Sequence, residues 1–271
     1  MFKFYHSHRE YFSEPQLWLR RISLLVATIF TTLGLKAQTM QYTFASASGS
    51  YTALTGGTTL QSGTTIGTDL VSSAITLPWS FTYNGVVCDR IFISNNGFIT
   101  LANGTTTTAP TAATYNPISS ATGYVGAIAG YGFNLVHSPV VGAAPDISHG
   151  ASGSDYVVQF TDLGRSGIVG DRLSFQIRLT QTTNVISIVY GTWAATTTTT
   201  TTTNFGVVGL RGASNTIFNH RQVTATAPYS TWAASGAAAD NGTTATQTAM
   251  GVLNGANGAN SMRYNSRVYT S

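Results

Sequence analysis

The stretch that decides the fold reads Leu173-Ser174-Phe175-Gln176-Ile177-Arg178-Leu179. Apolar residues occupy every second position, and successive side chains of a β-strand point to opposite faces of its sheet. The alternation therefore predicts an antiparallel strand with one buried face. The other face, which carries Gln176 and Arg178, is predicted to meet solvent.

Similar segments recur along the chain, separated by Gly, Asn and Thr. The clearest are Tyr42 to Ser46, Ala74 to Tyr83, Val86 to Ser94, Phe98 to Leu101, Tyr124 to Gly130, Tyr156 to Asp162, Val185 to Tyr190 and Phe205 to Leu210, with Arg263 to Tyr269 as a closing strand. Asn84-Gly85, Asn96-Gly97 and Thr183-Asn184 suit tight turns, and the first two predict a meander of three strands. Helical spacing does not extend beyond one or two turns after residue 38. We therefore expect an all-β fold, an antiparallel two-sheet β-sandwich of jelly-roll-like form.

The first 37 residues have the pattern of a secretory signal peptide. Arg20-Arg21 precede an apolar run from Ile22 to Leu35, and Ala37 offers a small residue for cleavage before Gln38. A membrane anchor is the alternative, but a spanning helix needs about 20 apolar residues, more than this run contains. We predict a signal peptide (1–37) and one β-sandwich domain (38–271), with a threonine-rich loop (196–203) and a low-complexity loop (233–260).

Composition excludes several classes of function for the predicted mature chain. Lys36 is the last lysine and Glu14 the last glutamate, so residues 38–271 carry eight Arg against seven Asp, a net charge of +1. The arginines are scattered, whereas nucleic-acid binding requires clustered positive charge. Nucleic acid is therefore not an expected partner, and no membrane span is expected after cleavage. Oligomeric state and ligand identity are not encoded in any recognisable motif.

Cys88 is the only cysteine, so an intrachain disulfide cannot form. It lies within an apolar strand pattern, which favours a buried, unreactive thiol over a reactive or lipidated one.

Three groups of motifs follow one another between residues 41 and 221. They are Tyr42-Thr43-Phe44 with Trp79-Ser80-Phe81-Thr82-Tyr83-Asn84-Gly85 and Ile93-Ser94-Asn95-Asn96-Gly97; Tyr156-Val157-Val158-Gln159-Phe160 with Gly170-Asp171-Arg172-Leu173 and Asn184-Val185-Ile186-Ser187; and Val208-Gly209-Leu210-Arg211-Gly212 with Phe218-Asn219-His220-Arg221. This succession resembles the N-terminal β-module of large bacterial surface or secreted proteins exported by the type IX secretion route. The resemblance implies a non-catalytic surface module, an extracellular or outer cell-surface location, and neighbouring fibronectin-like repeats and a C-terminal sorting domain. Neither follows here, so we expect a fragment of a longer protein or another export route.

The residue types that support catalysis are sparse. The aspartates Asp69, Asp146, Asp155 and Asp171 stand where predicted loops begin or end, which favours turn capping over the paired carboxylates of a glycosidase. The three histidines after residue 38 have no metal-ligand spacing, and Gly150-Ala151-Ser152-Gly153-Ser154 lacks the final glycine of a nucleophile elbow. We expect no enzymatic activity and no catalytic residues.

Two binding sites are nevertheless candidates. Asp162 and Asp171, with nearby loop carbonyls, are candidate ligands of calcium, the only cofactor considered; surface pairing of these aspartates with Arg165 and Arg172 is the alternative. Tyr229 and Trp232, in a polar stretch, are candidate ligand-binding aromatics, although a structural role at the sandwich edge is the alternative. Trp79 lies between Leu77 and Phe81 and is predicted to pack in the core.

These observations together predict a secreted or cell-surface adhesion or binding module, with a cell-surface or matrix glycan or protein as partner. A structural spacer in a larger surface protein is the alternative, and a hydrolase is a third.

Overall fold

The structure, a computed structural model, describes residues 40–194, 206–222, 236–237 and 260–266. The chain divides into two units, Met1–Gln38 and Thr39–Ser271, and every described residue belongs to the second. The predicted signal peptide, the threonine run 196–203 and most of the predicted loop 233–260 lie outside the described residues.

The described residues form fifteen strands and one 3-10 helix, Gly63–Thr65. In chain order the strands are β1 (Tyr42–Ser48), β2 (Thr58–Ser62), β3 (Ile75–Tyr83), β4 (Val86–Ser94), β5 (Phe98–Ala102), β6 (Gly126–Gly132), β7 (Leu135–His137), β8 (Asp146–Ser152), β9 (Asp155–Arg165), β10 (Arg172–Thr180), β11 (Ile186–Ala194), β12 (Val207–Arg211), β13 (Phe218–Gln222), β14 (Gly236–Ala237) and β15 (Asn260–Ser266).

Two antiparallel sheets pack face to face, which confirms the predicted β-sandwich. The first sheet has the order β1-β15-β11-β10-β9-β8-β2, with β7 paired to β9, and the second has the order β14-β13-β12-β6-β5-β4-β3. Alternate residues of each strand enter the space between the sheets. Phe160 and Phe175 stack there with ring centroids 4.6 Å apart, and Tyr190 donates a hydrogen bond across the sandwich to the Gly130 carbonyl at 2.7 Å.

Two turns confirm the predicted meander of β3, β4 and β5, which continues into β6. Asn84 and Gly85 both have positive φ, 49° and 80°, as a two-residue type I′ hairpin requires. The next hairpin places Gly97 at φ 81°, and a Cβ on this residue would lie 2.1 Å from the Tyr131 carbonyl oxygen. Only glycine satisfies both demands at position 97.

Five strands were not among the sequence predictions: β2, β7, β8, β13 and β14, the last of which lies within the predicted loop 233–260. β8 is the clearest case, because its sequence DISHGAS contains a single large apolar residue, Ile147. It forms because β9 offers it a complete antiparallel partner from Asp146↔Thr161 to Ser152↔Asp155. Strand formation here depends on tertiary pairing rather than on local propensity.

The prediction that Gln176 meets solvent is wrong. Its side chain is 0% exposed, because residues 49–54, which we call the strap, cross the outer face of the first sheet. Gln176 Nε2 donates to the Thr52 carbonyl at 2.8 Å and to Gln159 Oε1 at 2.7 Å, and the Leu54 backbone N–H also donates to Gln159 Oε1 at 2.8 Å. Tyr51 lies against Gly191, where a Cβ would come within 2.8 Å of the ring.

Candidate functional site

A groove lies on the outer face of the first sheet, beside the start of the strap. It has a volume of about 400 Å³. The strap contributes Gly49 and Ser50, and the turn from β10 to β11 contributes Thr183 and Val185. The remaining lining residues are outward positions of three adjacent strands: Asp155, Arg178, Thr180, Ser187 and Val189. We call this the outer-face groove.

Strand register brings its polar side chains together. Asp155 of β9 stands opposite Thr180 of β10, and the Thr180 hydroxyl donates to Asp155 Oδ1 at 2.7 Å. Arg178 is two residues earlier on the same face, since alternate strand residues share a face. Its Nε donates to Gln176 Oε1 at 2.8 Å, and Nη2 donates to the Ser50 carbonyl at 3.4 Å. A carboxylate, a guanidinium and several hydroxyls thus line one cavity.

The sequence analysis does not predict this groove, although the sequence contains polar residues at the positions that line it. Arg178 and Thr180 occupy the polar half of the alternation in β10, and Ser187 occupies that of β11. The alternation predicts only that Arg178, with Gln176, faces solvent. Only the strap, which crosses that face, converts a flat surface into a cavity.

The two candidate calcium ligands lie in separate ion pairs with arginines. The Asp171 carboxylate accepts hydrogen bonds from Arg165 Nε at 2.6 Å and Nη2 at 3.0 Å, and both side chains are 0% exposed. The Asp162 carboxylate accepts hydrogen bonds from Arg172 Nε at 2.8 Å and Nη2 at 2.9 Å, and from the Ala144 backbone N–H at 2.9 Å. The alternative of arginine pairing is therefore what the structure shows, with the correction that the Arg165–Asp171 pair is buried rather than on the surface.

These pairings set the protonation of the groups involved. Burial raises the pKa of Asp162, but hydrogen bonds from Arg172 and the Ala144 N–H outweigh it, so this pKa lies below its ordinary value. Burial lowers the pKa of Arg165, but its hydrogen bonds to Asp171 leave that pKa raised. Calcium binding stays a prediction, and it would require the ion to share these carboxylates with guanidinium groups or to displace them.

The histidines among the described residues serve local packing. His149 Nδ1 lies 2.8 Å from the Tyr156 hydroxyl, and His220 is buried beside Phe218 and Arg221. Burial lowers the pKa of both histidines, and the nearby charge of Arg221 lowers that of His220 further. Within residues 40–194 and the shorter described segments, no group of three or more His, Cys, Asp or Glu is arranged to hold a metal ion.

Two of the four remaining predicted positions, Cys88 and Trp79, can be placed. Cys88 is buried and free, as predicted, and burial raises its pKa to about 12. Trp79 packs partly buried against the core, edge-on to Tyr156 with ring centroids 6.5 Å apart. Tyr229 and Trp232 lie outside the described residues, so their role as a ligand platform stays a prediction.

The comparisons with known proteins give a family but no individual relative. The family model described as "NIDO related" matches residues 41–251, most of the chain. No curated protein and no solved structure matches. Among the described residues, no helix has the length and apolarity needed to cross a membrane. The chain therefore belongs to the NIDO-related family, an extracellular-type module with a binding or structural role.

Proposed function

We propose that the protein is a secreted or cell-surface adhesion or binding module without catalytic activity, and that its ligand is a glycan. The observation that carries this proposal is the outer-face groove. It is a cavity on a rigid sheet, lined by a carboxylate, a guanidinium and hydroxyl groups. Convergent polar groups in a preformed cavity are what small-ligand recognition requires.

Two features support the non-catalytic part of the proposal. Four of the charged groups near the β9–β10 connection form structural pairs, namely Arg165 with Asp171 and Arg172 with Asp162. Among the groove residues that the structure describes there is one carboxylate, Asp155, whereas glycoside hydrolysis generally uses two flanking the bond to be cleaved.

The location is also part of the proposal. Family membership supports an extracellular-type module, and the leader pattern at Arg20-Arg21 and Ile22 to Leu35 supports secretion. Export by the type IX route rests on the motif resemblance alone and stays a prediction.

The test is binding of the purified protein to a glycan array and to whole cells, with calcium and with a chelator. Saturable binding to a glycan is the expected result. Loss of binding in Trp232→Ala would support the predicted aromatic platform, and loss in chelator would support the calcium prediction. A folded protein that binds no glycan and no cell would contradict the proposal.

A structural spacer is the second candidate. The observation that favours it is the set of hydrogen bonds at the first sheet that hold the strap and the buried Arg165–Asp171 pair. A spacer would give the circular dichroism spectrum of a folded β-protein but no saturable binding in the assays above.

A further inference from the structure

We propose that the outer-face groove binds a neutral saccharide unit. This inference rests on the proposed binding function and adds to it the place of the site and the chemical class of the ligand. The volume of about 400 Å³ lies within the range of roughly 300 to 1,000 Å³ that is typical of small-ligand sites.

The backbone of β10 and β11 is not available to a ligand. β10 pairs with β9 on one side and β11 on the other, and β11 pairs with β10 and β15. A peptide that binds by adding a strand needs a free sheet edge. Strand addition is therefore excluded at β10 and β11, and recognition in the groove must come from side chains and from the backbone of Gly49 and Ser50.

The side chains offer matched donors and acceptors. An ionised carboxylate such as Asp155 only accepts hydrogen bonds, a guanidinium such as Arg178 only donates them, and the hydroxyls of Ser187 and Thr180 do both. A sugar hydroxyl also donates and accepts, so neighbouring hydroxyls of one ring can satisfy a carboxylate and a guanidinium together.

The charge balance selects against ionic ligands. Among the lining residues whose side chains the structure describes, there is one Asp and one Arg, and these two formal charges cancel. A ligand with a single charge would be attracted by one of Asp155 and Arg178 and repelled by the other, so it would gain little net Coulomb energy. A neutral polyhydroxylated ligand has no such conflict.

The polar groups are held in place before a ligand arrives. Thr180 fixes the Asp155 carboxylate at 2.7 Å, and this bond uses one of about four acceptor positions. Gln176 holds the Arg178 guanidinium at 2.8 Å, and Gln176 is itself fixed by the Thr52 carbonyl at 2.8 Å. Preorganisation of this kind lowers the entropy lost on binding.

The experiment is a titration of the isotope-labelled full-length protein by two-dimensional amide NMR. The probes are the methyl glycosides of glucose, galactose, mannose and N-acetylglucosamine, with glucuronate as the acidic comparison. We expect saturable shifts, at millimolar concentration, confined to amides of the groove, for at least one neutral sugar and not for glucuronate.

Two variants and a control make the result specific. Ser187→Leu fills the floor of the groove from an outward position and should abolish the shifts. Asp155→Asn removes a charged acceptor while keeping its size and should weaken binding by about tenfold or more, since hydrogen bonds to charged groups contribute about 1.5–3 kcal/mol. Asp89→Asn, on the other sheet, should bind like the parent protein.

The outcomes separate this inference from the proposed function. No shift with any neutral sugar, shifts outside the groove, or unchanged binding in Ser187→Leu would overturn the groove as the site, even if adhesion to cells persists. Groove shifts without adhesion would support the site and contradict the adhesion proposal.

Discussion

Asp171 illustrates how much depends on single residues in this chain. A buried carboxylate without a partner is strongly unfavourable, and Asp171 avoids this cost through two hydrogen bonds from the Arg165 guanidinium and a third from the Arg165 backbone N–H at 3.2 Å. Arg211 is also buried, yet its guanidinium donates to the Pro117 and Thr122 carbonyls and lies 4.8 Å from the Tyr124 ring centroid. The two arginines thus serve different purposes, one neutralising a charge and one holding a loop.

Asp171→Asn should destabilise the protein by about 3–5 kcal/mol, because it leaves the Arg165 charge buried without its partner. Asp89→Asn is the matched control. Asp89 lies 3.6 Å from Arg90 with side chains 43% and 36% exposed, so its loss should cost less than about 1 kcal/mol. Urea unfolding measures both. Equal losses would show that the buried pair contributes no more than the exposed one.

Cys88 should be unreactive in the folded protein. Its thiol is buried and its pKa is raised to about 12, so almost no thiolate is present at pH 8. Iodoacetamide followed by mass spectrometry should show labelling in urea and almost none in native buffer. Rapid labelling of the native protein would mean that β4 opens readily or that Cys88 is exposed.

Among the structural elements, hairpin turns link successive strands of the second sheet, and the strap covers part of the outer face of the first sheet. The turns follow from local sequence, because Asn and Gly tolerate positive φ. The strap does not, because its position depends on Gln176 and Gln159, two residues far away in the chain. The hairpin turns are thus specified by local sequence, whereas the position of the strap is specified by tertiary contacts.

Gly97→Ala should destabilise the protein by more than about 3 kcal/mol, because it combines a positive φ with a Cβ placed against the Tyr131 carbonyl. Gly85→Ala is the comparison, with a similar φ of 80° but no neighbour nearer than the Gln41 side chain at 3.5 Å. Its cost should be about 1–2 kcal/mol. Thermal or urea unfolding compares the two, and a similar loss in both would exclude the steric contribution at position 97.

Gln176→Ala should release the strap. The Thr52 carbonyl loses its donor, so chymotrypsin should cleave after Tyr51 several times faster than in the parent protein. Gln181→Ala, in the exposed turn after β10, keeps the strap contacts and should be cleaved at the parent rate. Unchanged cleavage in Gln176→Ala would show that other contacts suffice to hold the strap.

For the whole molecule, stability depends on the core between the two sheets and on the protonation of His149, His220 and Asp162. His149 and His220 have lowered pKa values, and Asp162 also has a lowered pKa. The unfolded chain takes up protons on these groups before the folded chain does. The stability of the sandwich should therefore fall as the pH is lowered.

The loss should occur in two stages. Below about pH 6.5, the ordinary histidine pKa, the unfolded state gains protons first, so stability declines as the pH falls towards the folded-state pKa values of His149 and His220. The contribution of Asp162 is present above its unfolded pKa and is lost as the pH falls through its lower folded pKa. Urea unfolding between pH 7.5 and 3 measures this. The double variant His149→Gln, His220→Gln should lack the first stage, and stability that rises between pH 7.5 and 5 would contradict the assignment.

Local sequence patterns were sufficient to identify the fold class and much of the strand arrangement. Alternation in Leu173 to Leu179 indicated an antiparallel strand, and Asn84-Gly85 and Asn96-Gly97 indicated the turns of the meander, because side-chain periodicity and positive φ are local properties. The burial of Cys88 followed from the same apolar pattern.

Tertiary contacts determine which polar residues are buried and which line a cavity. β8 exists because β9 pairs with it, Gln176 is buried because the strap crosses it, and the buried Asp171 carboxyl has the Arg165 guanidinium as its partner. The outer-face groove likewise combines residues 49–50 with positions in β9, β10 and β11. These features depend on contacts between segments distant in the chain, and such contacts leave no periodic signal in the sequence.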